Sequence, residues 1–227
     1  MARFSLEEVF ARLLDRYGPQ HWWPAETPFE IVVGAILTQA TSWRNVEKAI
    51  GRMKEAGLLE PARVLVVPVA ELEEAIRPAG YFRAKACTLK RFCTLLNDRY
   101  GGDLARMLAA PAATLRRELL RVRGVGPETA DSILLYAGGY PVFVIDAYTR
   151  RIFSRTGLIG PPSDRYDDWQ AEFHRNLPPD PELFGEYHAL LVALAKDCCR
   201  KRRPQCGRCP LQDGCRAARD PEYLDRN

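Results

Sequence analysis

The sequence has 227 residues, of which 47% are hydrophobic, enough for one large domain or two small ones with apolar cores. No apolar run approaches the roughly 20 residues that a membrane helix needs, so we expect a soluble protein. The net charge of +4 is only mildly basic and by itself favours no class of partner.

Helical periodicity dominates the chain and alternating β-branched runs are almost absent, which predicts an all-α fold. Ser5 and Glu8 form a capping box that opens the first helix, and the Gly18-Pro19 pair ends that helix. Gly and Pro breaks separate most of the later segments. The predicted helices cover residues 5–17, 28–38, 42–56, 68–76, 82–100, 111–120, 127–138, 146–157, 164–176 and 181–196.

Two glycines lie between predicted helices, in the segment 120–130. Gly124 and Gly126 permit a tight turn with positive φ and bare N–H groups, and Pro127 suits the first turn of the next helix. Such a turn directs backbone donors and a helix N-terminus outward, which suits a DNA phosphate. A purely structural turn would need the same glycines, so the pattern alone leaves both readings open.

An aspartate follows the apolar segment 142–145, which could be a short strand but which we expect to be a buried connection. Asp146 then begins a helix, where an N-cap role accounts for it. A carboxylate at that position could also activate a water and stabilise a developing positive sugar, the two requirements for cleaving an N-glycosidic bond.

Four cysteines near the C-terminus have the spacing C-x6-C-x2-C-x5-C: Cys199, Cys206, Cys209 and Cys215. Thiolates this close on a loop can hold one soft metal centre, either a [4Fe-4S] cluster or tetrahedral zinc. Two disulfides are the alternative, but residues 1–25 lack the features of a secretory signal, so we expect a reducing cytoplasm. The chain has three further cysteines. We interpret Cys198 as a spare thiol next to the first ligand, and Cys87 and Cys93 as ordinary core thiols.

The cysteine loop is also strongly basic. Its positive residues are Arg200, Lys201, Arg202 and Arg203, with Arg208 and Arg216 close by. A charge run is usually a solvated face, but a loop fixed by a metal becomes a rigid surface that can contact phosphates.

The G-V-G hairpin, the aspartate of V-I-D-A-Y-T-R-R about twenty residues later and the cysteine spacing together resemble the endonuclease III family of helix-hairpin-helix DNA glycosylases. The resemblance covers nearly the whole chain. It implies a repair enzyme that flips a damaged base out of double-stranded DNA and carries [4Fe-4S] rather than zinc. It also implies a two-lobed fold, with a helical barrel at 28–138 that ends in the hairpin and a second lobe, 1–27 with 139–227, that holds the cluster. No motif suggests an oligomer interface, so we expect a monomer.

The resemblance assigns roles to further residues. Gln39, in L-T-Q-A-T, is similar to the residue that fills the gap left by a flipped base, and Tyr81, in G-Y-F-R-A-K-A, to a second wedge. Asp146 would act on the sugar. The expected DNA-binding residues are Gly124, Val125, Gly126, Thr129, Arg202 and Arg203.

One position departs from the family pattern. Bifunctional members carry a lysine just after the hairpin, which attacks the sugar and permits strand cleavage through a Schiff base. This chain has Glu128 there, and a carboxylate cannot form that imine, so we predict a monofunctional enzyme. Glu128 would position water or simply be a solvated first-turn residue. Lys85, Lys90 and Lys196 are the lysines that could substitute, although no spacing favours them.

Three tryptophans lie near the expected base pocket. Trp22 and Trp23 are on a Pro-flanked loop and Trp43 follows the Gln39 segment, in an arrangement similar to the 3-methyladenine glycosylases of endonuclease III type. The resemblance implies that Trp22 and Trp43 sandwich the base, although core aromatics would give the same pattern. An N3-alkylated adenine is cationic, and aromatic faces attract cations by about 1–2 kcal/mol when desolvated.

Other functions stay open from the sequence. Retention of all four cysteines is compatible with oxidised pyrimidines or with adenine, thymine or uracil mismatches as substrates. A bifunctional glycosylase/lyase is another alternative. A non-catalytic iron-sulfur DNA-binding protein is the alternative from another class, but a mere binder would not require Asp146 together with both wedge candidates.

Overall fold

The computed structural model describes residues 4–220, and within that range the chain is helical and has no β-strand. The predicted all-α class is therefore confirmed. The α-helices are α1 (Leu6–Tyr17), α2 (Pro28–Leu37), α3 (Trp43–Glu55), α4 (Pro61–Val66), α5 (Val69–Ala75), α6 (Phe82–Tyr100), α7 (Leu104–Leu108), α8 (Ala112–Arg121), α9 (Pro127–Ser132), α10 (Ala147–Thr156), α11 (Tyr166–Asn176), α12 (Pro181–Asp197) and α13 (Arg216–Arg219). Shorter elements are the 3-10 turns Arg77–Ala79, Cys206–Arg208 and Gln212–Gly214, and the π-helical turn Ile133–Ala137.

The predicted helices are present with small shifts at their ends. The Ser5 hydroxyl accepts from the Glu8 amide at 3.1 Å and the Glu8 carboxylate accepts from the Ser5 amide at 2.7 Å, which confirms the capping box. The prediction of one helix over 127–138 was wrong in part, because the α-helix ends at Ser132 and a π-helical turn follows. α4, α7 and α13 were not predicted, since helices of six residues or fewer are too short to show a periodicity.

The described chain divides into two compact units. Unit 2 is Trp23–Tyr140, and unit 1 combines residues 4–22 with 141–220. The sequence had placed this division at residues 28 and 138. Among the described residues, no helix combines the length and apolar composition needed to cross a membrane.

Unit 2 is built around its longest helix, α6. This helix packs against α2, α4, α5 and α7. Eight of the ten residues of α2 are buried, which explains its continuous apolar sequence. Thr27 caps α2, its hydroxyl accepting from the Glu30 amide at 3.2 Å, and Pro28 occupies the first helical position.

Unit 1 is centred on α12, which packs against α1 and α10. Its core is aromatic: the rings of Phe143 and Phe173 stack with centroids 4.0 Å apart, and Phe184 and Tyr187 meet Phe143 edge-on. The buried Tyr187 hydroxyl donates to the Leu6 carbonyl at 2.8 Å, which ties α12 to the start of α1.

Candidate functional site

Asp146 in unit 1 has the N-cap role that the sequence predicted. It is the N-cap of α10, and its Oδ1 accepts from the Thr149 amide at 2.7 Å. Its other oxygen, Oδ2, lies 3.5 Å from Nε2 of His188 on α12. The residue is only 9% exposed, so its charge stands in a largely desolvated surrounding.

The charge state of this carboxylate follows from its neighbours. Burial raises the pKa of Asp146, but His188 and the hydrogen bonding of Thr149 lower it by more, so the pKa lies below its usual value. Asp146 is therefore ionised at neutral pH and acts as an anion or as an acceptor of protons. His188 was not among the predicted site residues, because a single histidine on an apolar helix carries no local signal.

The connection that leads to Asp146 is buried and extended but has no strand partner. The Phe143 amide donates to Nε2 of His174 at 2.9 Å, and the Phe143 carbonyl accepts from Gln170 at 2.7 Å. The Ile145 amide donates to the Tyr166 hydroxyl at 3.2 Å. Side chains of α11 thus satisfy backbone groups that a strand would pair, and they fix the entry to Asp146. The expectation of a buried connection is confirmed.

The hairpin between α8 and α9 lies in unit 2, where the sequence placed it. Gly124 has φ +103°, and a Cβ atom there would lie 2.1 Å from the Thr88 hydroxyl of α6, so only glycine fits. The prediction of positive φ is wrong for Gly126, which is extended and caps α9. The Val125 amide donates to the Val122 carbonyl at 2.9 Å, so this donor is used within the turn and does not face outward.

The Gln39 loop, residues 38–41, is bound to this hairpin. The side-chain amide of Gln39 donates to the Gly124 carbonyl at 3.0 Å and to the Thr129 hydroxyl at 2.9 Å. Ala40 has φ +52°, a left-handed conformation that costs a non-glycine residue about 1–2 kcal/mol. The loop is therefore held in a strained shape against the hairpin, with Gln39 half-buried.

The Tyr81 loop, residues 80–81, presents a large aromatic side chain to solvent. Tyr81 is 74% exposed and has φ +44°, ψ +30°, again left-handed. An exposed aromatic residue on strained backbone does not contribute to a core, and both features are typical of functional loops.

An aromatic cluster in unit 2 joins two of the predicted tryptophans with a residue that the sequence analysis missed. Trp23 meets Trp43 edge-on, with ring centroids 5.3 Å apart, and Tyr136 at 5.1 Å. Trp23 also packs on α2, where a Cβ atom at Gly34 would lie 3.0 Å from its ring. Tyr136 lies on the π-helical turn, an irregularity that is frequent at functional sites. Trp22 is half-buried at the end of unit 1.

Glu128 lies in the first turn of α9 and is exposed. The lysines considered as alternatives are placed differently. Lys85 is 4% exposed and Lys90 donates to the carbonyls of Leu65 and Val67, whereas Lys196 is exposed.

The four cysteines expected to bind a metal line one pocket in unit 1, and most of the other residues that line it are apolar. Burial raises the pKa of Cys209 to about 12 and also raises the pKa of Cys206 and Cys215. Within residues 4–220, no three His, Cys, Asp or Glu side chains are grouped so that they could hold a metal ion. The donor chemistry and the shared pocket nevertheless fit a thiolate-bound cluster, whose positive charge would favour ionised sulfurs.

The basic loop is braced from within unit 1. Arg155, 6% exposed, donates to the carbonyls of Arg200 and Lys201 at 2.7 and 3.0 Å, and its guanidinium lies 3.5 Å from the Cys199 sulfur. Arg202 and Arg203 are exposed, and Arg203 has φ +51°. A buried arginine thus shapes the loop from which the exposed arginines project.

A glycine hairpin between two helices, a buried N-cap aspartate and an all-helical fold are the features of the helix-hairpin-helix repair enzymes. Residues 33–179 match the HhH-GPD superfamily of base excision DNA repair proteins, and the chain belongs to this family as a base-excision-repair DNA glycosylase.

Individual relatives agree with this membership. A provisionally named DNA repair glycosylase of Methanocaldococcus jannaschii is 49% identical over 92% of this chain and 94% of its own. Endonuclease III of Sulfolobus acidocaldarius is 29% identical over 87% and 83% of the two chains.

Two solved structures are similar as well. An endonuclease III–DNA complex has a TM-score of 0.82 and 25% identity, covering 96% of each chain. The 3-methyladenine DNA glycosylase of H. pylori bound to 1,N6-ethenoadenine has a TM-score of 0.73 and 26% identity, covering 85% of this chain and 98% of the other.

Proposed function

We propose that the protein is a monofunctional glycosylase that removes alkylated purines such as 3-methyladenine and leaves an abasic site. The observation that carries the proposal is Glu128, an exposed carboxylate at the position where the resemblance places the lyase lysine. A carboxylate forms no Schiff base, so water must be the nucleophile.

Asp146 supplies the charge for this reaction. As an anion at neutral pH it stabilises the positive charge that develops on the sugar as the glycosidic bond breaks, and it orients or deprotonates the attacking water. His188 and the α10 cap fix the carboxylate before substrate arrives. Such preorganisation is what makes a fixed charge effective in a desolvated site.

The aromatic cluster suits the proposed substrate. Trp23, Trp43 and Tyr136 offer electron-rich faces on which a flipped, cationic base can stack. The positive charge on such a base already weakens its glycosidic bond, so no strong general acid is required. The bound ethenoadenine of the H. pylori relative, itself a modified adenine, supports the same substrate class.

DNA would be held by the hairpin and by the basic loop, with Gln39 and Tyr81 entering the duplex where the base leaves. The hairpin contributes backbone and hydroxyl groups at Gly124, Gly126 and Thr129, and the basic loop contributes Arg202 and Arg203. Because the contacts are to phosphates, we expect affinity for DNA to fall steeply with salt. The protein would act as a monomer.

The four cysteines would hold a [4Fe-4S] cluster. Bound there, the cluster would tie the loop 199–215 together, since that segment has little apolar surface of its own. Arg155 would assist from the protein side by binding the loop carbonyls.

The test is a panel of duplex oligonucleotides with single lesions, including alkylated DNA that contains 3-methyladenine, each analysed with and without hot alkali. Base release that becomes a strand break only after alkali is the expected result. Breaks without alkali would contradict the monofunctional assignment, and excision confined to oxidised pyrimidines or mismatches would contradict the substrate.

Borohydride trapping on abasic DNA provides a second, independent measurement. We expect no covalent adduct from the wild-type protein, because no lysine occupies the position of Glu128. An adduct that disappears in Lys196→Met, Lys85→Met or Lys90→Met would identify a replacement nucleophile.

A further inference from the structure

A buried lysine in unit 2 is not used by the reaction described above. Lys85, in the first turn of α6, is 4% exposed, and its ammonium donates to the carbonyls of Leu37 and Ala79 at 2.9 and 2.8 Å. A buried charge is costly unless hydrogen bonds compensate it, and a side chain such as methionine would fill similar space without that cost.

The two acceptors of this ammonium have a common position in the chain. Leu37 is the last residue of α2, directly before the Gln39 loop, and Ala79 ends the 3-10 turn directly before the Tyr81 loop. Lys85 therefore connects the bases of both loops, which are more than forty residues apart in sequence.

Both loops need such support. Ala40 and Tyr81 have left-handed backbones, at φ +52° and +44°, so each loop is held in a conformation that its own residue disfavours. A short loop with an exposed aromatic tip supplies few contacts that could oppose relaxation. The ammonium can bind two carbonyls at once because it has three donors in a compact head.

The position of the ammonium also argues against a role as nucleophile. Burial lowers the pKa of Lys85 to about 8, so the group is mostly charged at neutral pH, and its hydrogens face two carbonyls. A protonated amine lacks the lone pair that attack on a sugar requires.

We propose that Lys85 is a positioning residue that fixes the spacing of the Gln39 and Tyr81 loops, so that both side chains enter the duplex together at a lesion. This inference rests on the proposed function of the two loops and adds the residue that couples them.

Lys90 provides a matched control on the same helix. Its ammonium also donates to two backbone carbonyls, that of Leu65 in the last turn of α4 and that of Val67 just after α4, and neither residue precedes the Gln39 or the Tyr81 loop. Lys85→Met and Lys90→Met thus remove the same type of interaction, and only the first affects the loops.

The experiment measures binding to duplex DNA that contains a tetrahydrofuran abasic analogue flanked by 2-aminopurine, whose fluorescence rises when a wedge unstacks it. For Lys85→Met we expect the fluorescence change to be lost and the preference for abasic over intact duplex to fall about tenfold or more, with affinity for intact duplex retained. Lys90→Met should behave as the wild type. Equal effects of the two variants would overturn the proposal.

A double-mutant cycle with Tyr81→Ala separates positioning from general stability. If Lys85 acts through the loops, Lys85→Met should have little further effect in the Tyr81→Ala background, and additive losses would contradict the proposal. Should Lys85→Met fail to fold, Lys85→Gln, whose amide keeps two donor hydrogens, should give an intermediate loss. No fluorescence change with the wild type would instead refute the proposed wedge function.

Discussion

The two units carry their candidate functional residues in opposite ways. In unit 2, Tyr81 is exposed on a left-handed backbone, and the ammonium of the buried Lys85 binds the carbonyl of Ala79 just before it. In unit 1, Asp146 is buried in the relaxed geometry of an N-cap, with φ −98° and ψ 178°. A side chain that is proposed to enter another molecule has to leave its own core, whereas a buried carboxylate keeps its charge only because its partners, His188 and Thr149, offset the cost of burial.

The largest effect is expected at the enclosed residue. Asp146→Asn keeps the N-cap acceptor but removes the charge, so excision in single turnover should fall by about 10²-fold or more, while the melting temperature at neutral pH should fall only slightly. Asp180→Asn is the matched control, because Asp180 caps α12 in the same unit and should retain full activity. Near-normal excision by Asp146→Asn would remove this residue from the mechanism.

Substitutions in the cysteine loop test whether unit 1 holds the proposed cluster and is stabilised by it. Cys206→Ser should lower the iron content, the visible absorbance and the melting temperature together, because one thiolate ligand is lost. Cys87→Ser, half-buried in unit 2, should keep all the iron. An iron-free protein that retained its melting temperature and its DNA affinity would show that the cluster does not stabilise the loop.

Replacement of the strained residue Tyr81 should change the stability in the opposite direction and raise the melting temperature. Tyr81→Gly should raise the melting temperature by about 2–4 °C, since glycine relieves about 1 kcal/mol of left-handed strain, yet it should lose the stacking that Tyr81 would supply at a lesion. Tyr81→Ala removes the ring without relieving the strain and serves as the control. If the two variants had equal stability, the backbone at position 81 would not be strained.

The smallest expected effect concerns pH. The pKa of Asp146 is depressed in the folded state, so its ionisation contributes stability that is fully present above the unfolded value of about 3.9 and is lost as pH falls through the folded pKa. The difference in melting temperature between the wild type and Asp146→Asn should therefore shrink below about pH 4. A difference that stays constant down to pH 2 would mean that the charge of Asp146 does not stabilise the fold.

Local sequence signals were sufficient to predict features whose determining residues lie close together in the chain. The capping box at Ser5, the positive φ of Gly124 and the buried connection before Asp146 were all expected from residue types along one stretch of chain. The left-handed conformations of Ala40 and Tyr81 had no such signal, because neither residue type favours positive φ. Tertiary contacts impose them.

The residues that support the site were not predictable for the same reason. His188, which lies close to Asp146, belongs to a helix that begins 35 residues later. Tyr136 contacts Trp23 from a π-helical turn, and the hydrophobic periodicity of the sequence does not predict such a turn. Lys85 entered the sequence analysis only as a possible nucleophile, because its partners are backbone carbonyls of other elements. Each of these roles depends on a contact between positions that are far apart in the chain, and a single sequence does not show which positions meet.

The connection before Asp146 bears on how mutational data for this enzyme should be interpreted. His174 is one of three histidines in the chain, and by residue type alone it could be taken for a catalytic base. Its Nε2, however, accepts a hydrogen bond from the Phe143 amide and so carries no proton there. We expect its replacement to loosen the segment that precedes Asp146 and so to lower turnover without removing a reacting group. In this enzyme, loss of activity in a variant is therefore not sufficient evidence that the replaced residue takes part in the reaction. A residue of α11 that only supports the backbone would give the same result.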